Sequence, residues 1–134
     1  MAGAVRRSSG SIGYVELIYA LQNGVKFGSV QNKEGNFVLA SLQSVTAAAD
    51  GSLADIPEDL RYSLANAPGK DSYPISGTSW AIAYVKNPDG KGKRIRDFLH
   101  WCTHDGQQFV ETMHYARLPK RLVEPVEKKL ELIK

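Results

Sequence analysis

The apolar positions of this chain change period from segment to segment, and each change marks an element. Ile12 and Tyr14 alternate with small or polar neighbours, so residues 11–16 read as a short buried strand, with Gly10 and Gly13 allowing close backbone approach. Val15, Ile18 and Tyr19 then shift to helical spacing, which predicts a helix over 17–23 stopped by Asn23-Gly24. Residues 1–9 read as a short helical or ragged start. Residues 25–31 and 37–39 read as extended pieces around the turn Asn32-Lys33-Glu34-Gly35-Asn36. Ser41 is placed to cap a helix running to about Ala49, with Leu42, Val45 and Thr46 on one side. Residues 50–60, interrupted by Gly51 and Pro57, read as a loop. An extended piece over 61–64 and a turn at Pro68-Gly69 follow.

The second half carries the strongest strand pattern, over 73–85, where Trp80, Ile82 and Tyr84 alternate with small residues. Residues 87–93 read as a solvated turn. Ile95, Phe98, Leu99 and Cys102 fall at i, i+3, i+4 and i+7 and predict one apolar helix face. Asp105 is placed to cap a further helix whose Phe109, Val110 and Met113 turn inward. Leu118, Leu122, Val126 and Leu130 stripe a last helix beginning at Pro119, with a mild kink expected at Pro125. Mixed strand and helix signals in this order predict an α/β fold, with mixed sheet pieces flanked by helices. There is no internal repeat and no low-complexity tract.

Composition narrows the class. The 134 residues are one domain's worth of chain, and 43% hydrophobic with 23% charged residues disfavours intrinsic disorder. No apolar run approaches the roughly 20 residues that span a bilayer. The opening Met1-Ala2-Gly3-Ala4-Val5-Arg6-Arg7 has no apolar stretch after its charges and does not read as a secretory signal. A net charge of +3 and a pI of about 9.0 are mildly basic. With Cys102 as the one cysteine, no intrachain disulfide forms.

Candidate chemistry is sparse. In His100-x-Cys102-x-His104 the two histidines share a helix face, but Cys102 points about 200° away from each, with no CxxC or HExxH partner. Cys102 therefore reads as core and no metal is expected. Cys102 with His114, or Ser11 with any histidine, lacks the pattern of an activated nucleophile, and no catalytic residue is expected. Asp55, Glu58 and Asp59 read as a solvated loop. Lys86 and Lys91-Gly92-Lys93-Arg94-Ile95-Arg96 form a basic patch without interleaved aromatics, so nucleic acid is not an expected partner. Lys120-Arg121 and Lys128-Lys129, mixed with Glu124, Glu127 and Glu131, read as an exposed helix face.

Several segments carry a resemblance. Gly10-Ser11-Ile12-Gly13-Tyr14-Val15-Glu16 resembles the GSIGYVE segment of the periplasmic phosphate-binding proteins of phosphate ABC transporters, the PstS family. Phe37-Val38-Leu39-Ala40-Ser41-Leu42-Gln43-Ser44 is similar to the family's extended piece and helix after that segment. Tyr73-Pro74-Ile75-Ser76-Gly77-Thr78-Ser79-Trp80 resembles its YPI…T strand. Phe98-Leu99-His100-Trp101 with Gly106-Gln107, and Tyr115-Ala116-Arg117-Leu118-Pro119 with Val123, match its FxxW…GQ and YAxLP patterns in family order.

The resemblance implies part of a type II periplasmic-binding-protein architecture. Residues 1–72 would end the second lobe and 73–134 would return to the first, with the option that both fold as one compact unit. It implies a non-enzymatic phosphate receptor, located in the periplasm or outside the cytoplasm and serving an ABC permease, with no cofactor. The family holds phosphate with backbone and hydroxyl donors at helix N-termini, an arginine and an acidic residue, all in segments before those matched here. Most or all of them are expected to be absent, and autonomous phosphate binding is not expected. The family's phosphate loop contains Ser-Gly-Thr with an arginine four residues before the serine. In Ser76-Gly77-Thr78 that position is Ser72, so the triplet is a weak phosphate candidate and reads as strand. The alternative reading is an independently folded module that forms a homodimer, or that meets a missing N-terminal portion in trans.

Overall fold

Helix ends in this chain are set by local hydrogen bonding, and the computed structural model describes all 134 residues except the side chain of Asp55. Helix α1 spans Ala2–Arg7 and α2 spans Leu17–Gln22. Strands β1 (Val30–Gln31) and β2 (Phe37–Val38) lead to α3, Leu42–Ser52, which runs on into a 3-10 turn at Leu53–Asp55. A 3-10 turn at Pro88–Gly90 precedes α4, Lys91–Thr103. The short α5, Gln107–Val110, continues as a 3-10 turn to Met113, and α6 covers Lys120–Leu130. The architecture is therefore helical with one small antiparallel sheet.

Three local signals act as expected. Ser41 Oγ accepts from Ser44 N at 3.1 Å while Ser44 Oγ accepts from Ser41 N at 2.9 Å, a reciprocal box that pairs donors a helix start leaves open. At the end of α2, Gly24 at φ 59° sends its N–H to Leu21 O and lets Val25 N reach Ala20 O. This pair of bonds is the left-handed glycine stop. In the hairpin Val30 faces Val38 and Gln31 faces Phe37, across a turn closed by Asn32 N donating to Asn36 O.

Two packing centres result. One is marked by buried Ala48, Ala49 and Leu53 of α3 and its 3-10 turn, where Gly51 meets the backbone of Pro68. Gly51 is required here, because a Cβ at this position would lie 2.1 Å from Pro68 O. Leu122, Leu130 and Ile133 form the other, where α6 packs on α4. Lys134 closes this end: its N–H donates to Val85 O at 2.7 Å and its carbonyl accepts from Asn87 N at 2.8 Å. No helix among the described residues is long and apolar enough to cross a membrane.

Several expectations need correction. Residues 11–16 and 73–85 are not strands; they are extended and irregular, because no neighbouring segment offers a ladder. Ile12 and Ile82 are 96% and 97% exposed. Helix α3 passes through Gly51 to Ser52, so the loop expected over 50–60 starts later, after the 3-10 turn. Phe98 on α4 is exposed while Ile95, Leu99 and Cys102 are half-buried, since α6 covers only part of the apolar stripe. Phe109 and Met113 are about half exposed rather than inward. Gly106, not Asp105, holds the cap position of α5, and Pro119 precedes α6 rather than opening it.

Candidate functional site

The backbone leading to Ser76-Gly77-Thr78 is fixed from several sides. Asn32, 5% exposed, places Nδ2 within 2.9–3.2 Å of the carbonyls of Gly69, Lys70 and Ser72. Its Oδ1 accepts from Glu34 N and Asn36 N, so one side chain ties the hairpin turn to the 69–72 loop. Ser72 is fully buried, its Oγ donating to Pro68 O at 2.8 Å. Tyr73 N donates to Ser44 O in the first turn of α3, and Asn66 N donates to Pro74 O.

Beyond Pro74 the constraint fades. Ser76 Oγ donates back to Tyr73 O at 2.8 Å. Gly77 is exposed, and a Cβ there would meet nothing within 4 Å. Thr78 Oγ1 is buried and has no hydrogen-bond partner, alone in this among the described residues. An orphaned hydroxyl of this kind costs about 1–3 kcal/mol. A phosphate is best held by several donors converging in a dry site, above all the N–H groups of a helix start. Residues 76–78 lead into irregular chain instead of a helix, and the hydroxyl proton of Ser76 is committed to Tyr73 O.

A second constellation lies between α4 and α6. His100 and His104 stack with ring centroids 4.0 Å apart and planes within 6°, as the shared helix face predicts. Cys102 is half-buried and stands outside the group; its carbonyl accepts from Gln107 Nε2. The third member is Glu127 of α6, whose Oε1 lies 3.0 Å from His104 Nε2. Sequence reasoning missed Glu127, assigning it to an exposed face. The available signal was its place beside the Leu122–Val126–Leu130 stripe that docks α6 on α4.

The remaining candidates stand apart from these two. Ser11 Oγ donates to the carbonyls of Ser8 and Val5, and His114 is exposed at φ 58°. Asp59 accepts from Arg61 N, and this bond together with the guanidinium of Arg61 holds its carboxyl below the usual range. Glu58 is exposed, and the side chain of Asp55 lies outside the described residues. Of the basic patch, Lys93 pairs with Asp97, lowering the pKa of that carboxyl, while Lys91 and Arg94 are solvated. Tyr115 donates its hydroxyl to Glu16 Oε2 at 3.2 Å, and the Glu16 charge followed by this bond raises the phenol above 10.0.

No protein-family profile matches the chain. Curated relatives do. The chain is 36% identical over 128 residues to a phosphate-binding protein PstS of Xylella fastidiosa strain Temecula1, covering 95% of this chain and 35% of that protein. It is 33% identical over 128 residues to a phosphate-binding protein PstS of Haemophilus influenzae, covering 94% of this chain and 38% of the relative. A PstS of Pasteurella multocida is 30% identical over 129 residues, which is 37% of its length. The chain thus spans a little over a third of the curated relatives it matches.

Proposed function

Because this chain is a relative of the PstS phosphate-binding proteins along 95% of its length, we propose that it is a lobe-building part of a non-enzymatic phosphate receptor. It contributes to a type II periplasmic-binding-protein architecture outside the cytoplasm. That receptor captures phosphate and presents it to an ABC permease. Residues 1–72 end the second lobe and 73–134 return to the first, while the chief phosphate donors belong to the two thirds of the relatives' length that this chain does not match. Ser76, Gly77 and Thr78 make at most a peripheral contact, through the uncommitted Thr78 hydroxyl.

The similarity to named phosphate-binding relatives carries this reading. Two runs with strand patterning support it, since Ile12, Tyr14, Ile82 and Tyr84 stand exposed without a ladder to join. In the complete receptor these runs pair with strands supplied by the unmatched length. Burial of apolar area at about 25 cal/mol per Å² then drives assembly.

The test mixes ¹⁵N-labelled chain with the unmatched portion of the Xylella fastidiosa relative and follows phosphate by equilibrium dialysis, with sulfate as competitor. The mixture is expected to bind phosphate, neither part alone doing so, while amide signals of residues 12–14 and 80–84 shift. Saturable phosphate binding by this chain alone overturns the division of labour. A phosphate-indifferent homodimer that buries Ile12 and Ile82 instead favours the module reading.

A further inference from the structure

We propose that His100, His104 and Glu127 form a binding site for zinc(II) that clamps α4 to α6. One candidate ligand atom from each residue lies within 4.8 Å of those of the other two. Zinc takes imidazole nitrogen at about 2.0–2.1 Å and carboxylate oxygen at about 2.0–2.2 Å, which sets ligand atoms roughly 3.3 Å apart around a tetrahedral ion. Drawing the group in by about 1.5 Å is a matter of side-chain rotation. His100 is exposed and Glu127 half-buried, so neither is held by a close-packed core.

The contacts of the His104 ring point the same way. Its Nδ1 lies 2.9 Å from His100 O and 3.0 Å from Thr103 Oγ1, which leaves Nε2 as the ring nitrogen that faces Glu127. In the tautomer that donates Nδ1–H to His100 O, the Nε2 lone pair and Glu127 Oε1, 3.0 Å apart, converge as two metal-type donor atoms. A zinc ion bound to these two atoms also engages His100, whose ring is stacked 4.0 Å away. The bond from Nδ1–H to a backbone carbonyl is the outer bond that metal-bound histidine makes to fix its tautomer and orientation.

The surroundings suit a cation of this class. His104 caps the C-terminal end of α4, where the helix dipole is negative. A recess of about 300 Å³ opens beside the group, lined by Arg96, Asp97, His100, Glu127, Leu130 and Glu131. Glu127 and Glu131 are acidic there against one arginine, Asp97 being paired with Lys93, and the open side leaves room for water as a fourth ligand. Two imidazoles select zinc over magnesium or calcium, which prefer oxygen ligands.

The test is a calorimetric titration of the whole chain with zinc chloride, alongside ¹⁵N imidazole spectra and a magnesium control. One equivalent of zinc is expected to bind reversibly to chelator, shifting His100 and His104 nitrogens and leaving His114 unmoved. His100→Ala and Glu127→Gln each weaken binding by about tenfold or more, the scale on which even outer-shell partners act. His114→Ala does not weaken it. His100 is exposed, and far-UV circular dichroism checks that its variant stays folded. Absence of zinc binding, or binding unchanged in both His100→Ala and Glu127→Gln, overturns the proposal and leaves the group as a hydrogen-bonded His104–Glu127 pair beside the stacked His100.

Discussion

Replacing Gly51 with alanine sets two physical effects against each other inside α3. Alanine is about 1 kcal/mol better than glycine in a helix interior, so intrinsic propensity alone predicts a more stable protein. The structure predicts the opposite. The new Cβ would lie 2.1 Å from Pro68 O and 3.1 Å from Pro68 C, backbone atoms that cannot rotate away. Ordinary contact starts near 3.4 Å, so helix and loop must separate by more than an ångström. The flanking residues Ala48, Ala49, Leu53 and Ala67 are all nearly inaccessible to solvent, which leaves little room for that separation. Overpacking of this kind costs about 1–3 kcal/mol, and disturbing the Ser72 Oγ bond to Pro68 O adds about 1 kcal/mol. After subtracting the propensity gain, the net loss is about 2 kcal/mol, or a fall in Tm of about 6–10 °C for a chain of this length. Urea and thermal unfolding of Gly51→Ala measure it. Gly28→Ala, where an added Cβ meets nothing within 4 Å, is the control and stays within about 0.5 kcal/mol of the parent. A Gly51→Ala protein as stable as the parent, or more so, would refute the packing argument and return the decision to propensity.

Two further outcomes follow from hydrogen bonding. Asn32→Ala removes the amide that serves three loop carbonyls and the oxygen that receives Glu34 N and Asn36 N, and should lose about 2–3 kcal/mol in urea unfolding. Amide exchange at residues 34 and 36 should speed up; a loss under about 0.5 kcal/mol contradicts the staple. Tyr115 titrates above 10.0 beside Glu16, so the folded chain keeps its phenolic proton while the unfolded chain releases it. This contribution is present below about pH 10 and is lost as pH rises through the raised value. A ¹³C titration of the tyrosine ring should show the pKa falling back toward 10 in Glu16→Gln, and an unchanged value there would remove Glu16 as the cause.

What the sequence made legible is what short stretches of chain decide by themselves. Ser41 announces α3, Asn23-Gly24 ends α2, and the 32–36 turn folds back on itself. Each acts within five or six residues, so no distant partner is needed. The apolar stripe of α6 was equally readable, with Leu122 and Leu130 buried as its spacing required. The 11–16 and 73–85 patterns were misleading for a physical reason. Alternation shows that a segment suits a half-buried strand, but a strand exists only where another backbone meets it. The same logic divides the His100–His104–Glu127 group. The histidine pair is a local consequence of helical spacing, whereas Glu127 arrives 23 positions after His104 through the packing of one helix on another.

The unladdered run over 79–85 has a consequence for handling the protein at all. Ser79-Trp80-Ala81-Ile82-Ala83-Tyr84-Val85 holds seven residues with no charge, proline or glycine, and two of its large side chains are more than four-fifths exposed. That composition is the one from which steric zippers and fibril spines are built. Lys86 directly after it, and the lysines and arginines of 91–96 beyond, act as charged gatekeepers against stacking of like segments. Concentration and salt therefore work against solubility together, one by raising encounters between copies and the other by screening the gatekeepers.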